Sequence, residues 1–169
     1  MKEEKFEFTY TVFENSNQLS PADILLVEKA RQQTAIAYAP YSNFQVAAAA
    51  QLINGEILVG TNQENAAYPV SICAERVLLG TIANHFPNMP IVTMAISFNS
   101  AFVLTNQPIS PCGMCRQALA EYEMRTQQFI RLLLTGQSGA VWLIPQATFC
   151  KSTSSAKNIS YTFRLAFRY

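Results

Sequence analysis

The chain is short of charge. Asp, Glu, Lys and Arg make up 14% of its 169 residues, against about 25% in an average soluble protein. Twelve basic residues face eleven acidic ones, for a net charge of +1. That balance argues against a strong electrostatic binder of nucleic acid or of an anionic membrane surface. No apolar run approaches the ~20 residues that span a bilayer. The start, Met1-Lys2-Glu3-Glu4-Lys5, mixes both signs with no apolar stretch behind it, so no secretory leader is expected and a cytoplasmic location is. There is no internal repeat, low-complexity tract or evident linker. The only histidine, His85, falls near the end of a predicted helix, where the dipole favours it, and is not counted as a ligand. What is abundant is hydrophobic side chain, at 50%. The chain is therefore not disordered, and its length suits one domain over residues 1–169 with a core of its own. Scarce charge also suits a surface hidden in an oligomer.

Phe6, Phe8, Tyr10 and Val12 alternate with polar residues, which predicts a half-buried strand within an N-terminal extension, residues 1–19. Ser20-Pro21-Ala22-Asp23 has the form of a helix start, with Ser20 as cap, Pro21 in the first turn and Asp23 as the capping acid. That helix is expected to run to Pro40. Residues 44–53 and 56–61 read as strands around Asn54-Gly55, a hairpin turn. A helix is predicted over 72–84, a buried strand over Ile91–Phe98, and a helix around Arg116–Arg125. Strands follow at Phe129–Leu134 and Ala140–Ile144. Alternating strands and helices predict an α/β fold, a sheet with helices packed on it. Beyond a polar stretch, Tyr161, Phe163, Leu165, Phe167 and Tyr169 alternate strictly. The expectation is a strand that pairs with the N-terminal one.

Four cysteines stand at 73, 112, 115 and 150. Without a secretory context, C-x-x-C reads as metal or redox chemistry before it reads as a disulfide frame. The informative pattern is Cys73-Ala74-Glu75 followed by Pro111-Cys112-Gly113-Met114-Cys115-Arg116-Gln117. Both groups fall where a helix begins, where backbone N–H groups and the dipole favour thiolates, the form that binds zinc. Three thiolates leave the fourth tetrahedral position for water, the mark of a catalytic zinc. Glu75 lies close enough in sequence to reach that water. Zinc nucleobase deaminases use this set: three ligands, a water, and a carboxylate that is not a ligand. Three thiolates damp zinc's acidity, and Arg76 is the candidate cation to offset them; Arg116, after Cys115, reads either as a second such cation or as a solvated helix residue. Plainer readings stand beside these. They are a redox or structural C-x-x-C, a first-turn acid at Glu75, a surface charge at Arg76, and a free thiol at Cys150.

At this point the chain resembles the homotetrameric cytidine deaminases. The resemblance is carried by Tyr38-Ala39-Pro40-Tyr41-Ser42-Asn43-Phe44-Gln45-Val46, Asn62-Gln63-Glu64-Asn65-Ala66-Ala67-Tyr68, Cys73-Ala74-Glu75-Arg76 and Ser110-Pro111-Cys112-Gly113-Met114-Cys115-Arg116-Gln117. It implies a three-layer α/β/α fold with a mixed central sheet, and one zinc per chain on Cys73, Cys112 and Cys115. Glu75 would be the proton shuttle. Asn62 and Glu64 would bind the ribose, Phe44 would line the nucleoside pocket, and the Ala74 N–H would hold the base carbonyl. The implied reaction is deamination of cytidine and deoxycytidine in pyrimidine salvage, by a homotetramer with shared active sites. Taken without the resemblance, Asn62 and Glu64 read equally as a polar loop, and Phe44 as a core aromatic. The sequence departs from the family at Ala47, where glycine is usual. It also departs in the tail, 151–169, where the usual Leu-Leu-Pro-x-x-Phe is missing. These departures raise an alternative, a zinc-stabilised nucleoside-binding protein without catalysis. A deaminase of a related aminopyrimidine nucleoside is a second alternative. A polynucleotide substrate is disfavoured by the neutral charge.

Overall fold

A computed structural model of the chain describes residues 9–145. Ser20 opens helix α1 (Pro21–Gln33) as expected, its Oγ accepting the Asp23 N–H at 3.2 Å. The helix stops at Gln33 and not near Pro40. A single 3-10 turn (Thr34–Ile36) follows, after which Tyr38 is extended and bridged to Gln63. The Tyr38 N–H donates to Asn62 O at 3.2 Å, and Glu64 N–H donates to Tyr38 O at 2.9 Å. A partner distant in sequence thus claims backbone that the local pattern assigns to helix.

Among the described residues the sheet has six strands: β1 (Thr11–Phe13), β2 (Phe44–Leu52), β3 (Ile57–Thr61), β4 (Ile91–Ser100), β5 (Arg131–Thr135) and β6 (Val141–Pro145). Their spatial order is β1-β6-β5-β4-β2-β3. β4 and β5 are parallel and every other pairing is antiparallel, so the sheet is mixed. β2 and β3 form the expected hairpin about Asn54-Gly55. Ala47 is fully buried, and the register runs regularly through it against both Thr61 and Ser97, so the extra methyl is absorbed. Of the predicted N-terminal strand, Phe6 and Phe8 lie outside the described residues; the strand described there is Thr11–Phe13, paired with β6, with Tyr10 and Val12 exposed and Phe13 packed against the core. The expected strand at 161–169, its pairing with the N-terminal strand, and Cys150 all lie outside the described residues.

Period-two alternation in the central strands divides the core into two. Ala49, Ala95, Leu133 and Val141 pack with Leu26, Val27 and Ala30 of α1. Ala48, Ala50, Met94, Ile96, Leu132 and Leu134 face the other way. They meet Leu78 and Ile82 of α2 (Ala74–His85) and Leu119 and Tyr122 of α3 (Gly113–Thr126). The result is a three-layer α/β/α sandwich. α3 starts three residues before Arg116, with Cys112 as its cap. Among the described residues no helix is long and apolar enough to cross a membrane.

One glycine lets α2 sit where it does. A Cβ on Gly60 of β3 would lie 2.6 Å from Leu78 N, 2.8 Å from Ala74 O and 2.9 Å from Leu78 Cα. The first turn of α2 therefore lies directly on the β3 backbone, which fixes the height of Cys73 and Glu75 above the sheet.

Candidate active site

Cys73 is the cap of α2 and Cys112 is the cap of α3, so both helix N-termini converge on one point. Cys115 lies in the first turn of α3 and is fully buried, while Cys73 is half-buried and Cys112 exposed. The Cys112 Sγ accepts the Cys115 N–H at 3.4 Å. The Cys73 and Cys112 sulfurs are 3.8 Å apart, those of Cys112 and Cys115 are 3.3 Å apart, and all three lie within 4.8 Å of one another. Thiolates on a tetrahedral zinc, with Zn–S near 2.3 Å, stand about 3.8 Å apart. Sulfurs within 4.8 Å of one another fit that ion with adjustments of at most about 1 Å.

Electrostatics favour a thiolate at Cys73. A hydrogen bond from Cys115, opposed by burial and assisted by Cys112 and the charge of Arg76, brings the Cys73 thiol down to about 6. Cys115 moves the opposite way, because it donates that bond and is buried near Glu75. Arg76 is exposed and outside the cavity, and it acts on the sulfur through its charge. Glu75, in the first turn of α2, is 4% exposed. Burial, with the neighbouring Cys73 charge, pushes its carboxyl above the ordinary value. A carboxylate with raised proton affinity, held beside three thiols, is suited to taking and returning a proton.

Cys73 and Cys112 line a cavity of about 510 Å³, and Cys115 lies buried behind them. The cavity wall brings together Phe44, Asn62, Glu64, Cys73, Ala74, Glu75 and Cys112, residues up to 68 positions apart in sequence. Gln63 bridges to both Tyr38 and Ile72, and Ile72 directly precedes Cys73, so the segment carrying Asn62 and Glu64 is stitched to the start of α2. Asn62 is fixed by the backbone of β2: its Oδ1 accepts the Val46 N–H at 2.8 Å and its Nδ2 donates to Phe44 O at 2.9 Å. Phe44 both lines the cavity and stacks on buried Phe98, with centroids 5.0 Å apart and 15° between planes. His85 ends α2, its ring against Thr81 O, far along the helix from the cysteines.

Tyr68, Ile72, Ile109 and Met114, to which the sequence assigns no chemistry, also line the cavity. Tyr68 and Met114 fall inside the quoted motifs, but their residue types carry no chemistry that singles them out. Among the lining residues there are two carboxylates and no Lys, Arg or His.

Comparison with known proteins places relatives beside this chain. A family model described as the cytidine and deoxycytidylate deaminase zinc-binding region matches residues 21–130. A cytidine deaminase from Halalkalibacterium halodurans is 38% identical over 97 residues, spanning 57% of this chain and 69% of its own. One from Sporosarcina psychrophila is 34% identical over 136 residues, 79% of this chain and 90% of its own. The 1.6 Å crystal structure of cytidine deaminase from Burkholderia pseudomallei superposes with a TM-score of 0.64 at 33% identity, over 74% of this chain and 93% of that one.

Proposed function

Because this chain belongs to the cytidine and deoxycytidylate deaminase family, we propose that it hydrolyses cytidine and deoxycytidine to uridine and deoxyuridine, releasing ammonia. The observation that carries this is the convergence of three cysteines, two of which line a nucleoside-sized cavity together with buried Glu75. Cys73, Cys112 and Cys115 would hold one zinc, which when bound acidifies a water toward neutral pH. Glu75 would take one proton from the water and deliver it to ring nitrogen N3 as the water oxygen bonds to C4. It would then carry the remaining proton of that oxygen to the exocyclic amine, so that the C4–N bond breaks, the C4 carbonyl forms and ammonia leaves. Asn62 and Glu64 bind the sugar, Phe44 packs against the nucleoside, and the Ala74 N–H holds the base carbonyl. Arg76 offsets the thiolate charge.

The lining supports an unphosphorylated substrate. Two carboxylates and no cation repel a 5′-phosphate, which an enzyme for a nucleotide would have to neutralise. Assembly into a homotetramer is supported by exposed apolar residues around the cavity mouth: Tyr41, Tyr68, Ile72 and Met114 are 40–73% exposed in the single chain. The setting in cytoplasmic pyrimidine salvage rests on the family resemblance.

The test is ammonia release from cytidine, with zinc measured on the same sample. Turnover is expected at about one zinc per chain. Glu75→Gln should keep its zinc and lose turnover by at least about a thousandfold. Full zinc without turnover in the unaltered protein would favour the nucleoside-binding alternative.

A further inference from the structure

Glu64 is held by three donors from a single turn. The turn before β2 passes over its carboxylate, with Asn43 in the left-handed region at φ 51°. Glu64 Oε2 accepts the Tyr41 N–H at 2.9 Å and the Ser42 N–H at 3.3 Å. Oε1 accepts the Ser42 hydroxyl. The Ser42 Oγ in turn accepts the Phe44 N–H at 3.0 Å. That bond occupies the acceptor side of the hydroxyl and leaves its one proton for Glu64. Burial by itself would raise the Glu64 carboxyl. Donation from the Ser42 hydroxyl and the two backbone N–H groups outweighs it and holds the group below its ordinary value, as an ionised acceptor.

A carboxylate offers about four acceptor positions. Three are filled from this turn, two on Oε2 and one on Oε1. The open position is therefore on Oε1, the atom that Ser42 restrains. The two backbone donors belong to the turn itself. Among the described residues the serine hydroxyl is the only side-chain member, and it also ties the carboxylate to Phe44, whose carbonyl holds Asn62.

We infer that Ser42 is a positioning residue for substrate affinity: its hydroxyl aims Glu64 Oε1 at a sugar hydroxyl, so that it governs how tightly a nucleoside is held and not how fast the base reacts. A half-exposed glutamate on a loop without this restraint spreads over several rotamers, and that freedom would have to be lost again on each binding event. The inference rests on the nucleoside reading above.

The experiment uses the full zinc-loaded chain as wild type, Ser42→Ala and Ser42→Thr. Each is assayed by the ultraviolet change of cytidine, 2′-deoxycytidine and 3′-deoxycytidine. Ser42→Ala should raise KM for cytidine about tenfold, with kcat within about twofold. Ser42→Thr should recover most of the loss. On the deoxynucleoside lacking the hydroxyl that Glu64 engages, wild type and Ser42→Ala should converge. An unchanged KM, a fall confined to kcat, or an equal penalty on all three sugars would overturn the inference and leave Ser42 as a turn residue only. If Ser42→Ala fails to fold, Ser42→Cys, similar in size but a weak donor, must raise KM in the same way. A zinc-replete wild type that releases no ammonia defeats the deaminase reading alone. Calorimetric Kd values for cytidine then replace KM in the same comparison. No nucleoside binding by the wild type would overturn both.

Discussion

Replacing Gly60 by alanine should force helix α2 off the sheet. The new methyl would meet Leu78 N at 2.6 Å and Ala74 O at 2.8 Å, both backbone atoms that no rotamer change can move. To reach ordinary contact at 3.4 Å, helix or strand must retreat by about 0.8 Å. Overpacking of this kind costs about 1–3 kcal/mol. In a chain of this size that is a fall in Tm of about 3–10 °C. The displaced turn carries Cys73 and Glu75, so zinc should also be held less tightly, whereas Cys112 and Cys115 stay on α3. The control is Gly80→Ala, in the same helix, where a Cβ meets nothing within 4 Å. There, alanine should stabilise by about 0.5–1 kcal/mol through helix propensity. Thermal unfolding of the two variants, and competition for zinc against a chromophoric chelator, read the two effects separately. The reasoning is refuted if Gly60→Ala matches the wild type in both, or if the two alanines shift Tm in the same direction.

Two further outcomes concern stability. Glu123 is 6% exposed, accepts the Ile130 N–H at 2.8 Å, and is pushed up by burial to about 7 from 4.5. Its folded value lies above its unfolded one, so the native state holds the extra proton between them. Its contribution is fully present below about pH 4.5 and is lost as pH rises through about 7. Glu123→Gln keeps an acceptor for Ile130, and should be more stable than the wild type by about 1–3 kcal/mol at pH 8 and equal to it near pH 4.5, by urea unfolding at each pH. Arg131 pairs with Asp23 through two bonds, of 3.0 and 3.3 Å, that tie β5 to α1. Asp23 is 12% exposed at its side chain and Arg131 is 44% exposed. Arg131→Ala strands the buried partner and should cost more than Asp23→Ala, after which the guanidinium can rehydrate. Denaturation showing the reverse order would contradict this account.

Local chemistry was enough for the parts of the fold that depend on near neighbours. Ser20-Pro21 marks the start of α1, Asn54-Gly55 marks the hairpin, and the apolar run from Ile91 marks the central strand. The cysteine groups are legible for the same reason: each lies at a helix cap, and caps are written in a few adjacent residues. The end of α1 was not legible. Nothing between Thr34 and Pro40 announces that Tyr38 will be drawn out to meet Gln63.

The residue types at 73, 75, 112 and 115 and their spacing determine by themselves that a zinc and a proton carrier are the chemistry to expect. Whether the three sulfurs meet is decided by the sheet, which brings the starts of α2 and α3 together, and by Gly60, which sets how deep α2 lies. The role of Ser42 is likewise tertiary. A serine in a turn has one hydroxyl proton and many possible acceptors, and only the packing of that turn over a glutamate 22 residues away selects one. Covalent identity and local spacing are properties of the chain, whereas distances between segments far apart in sequence are set by the burial and pairing of everything between them.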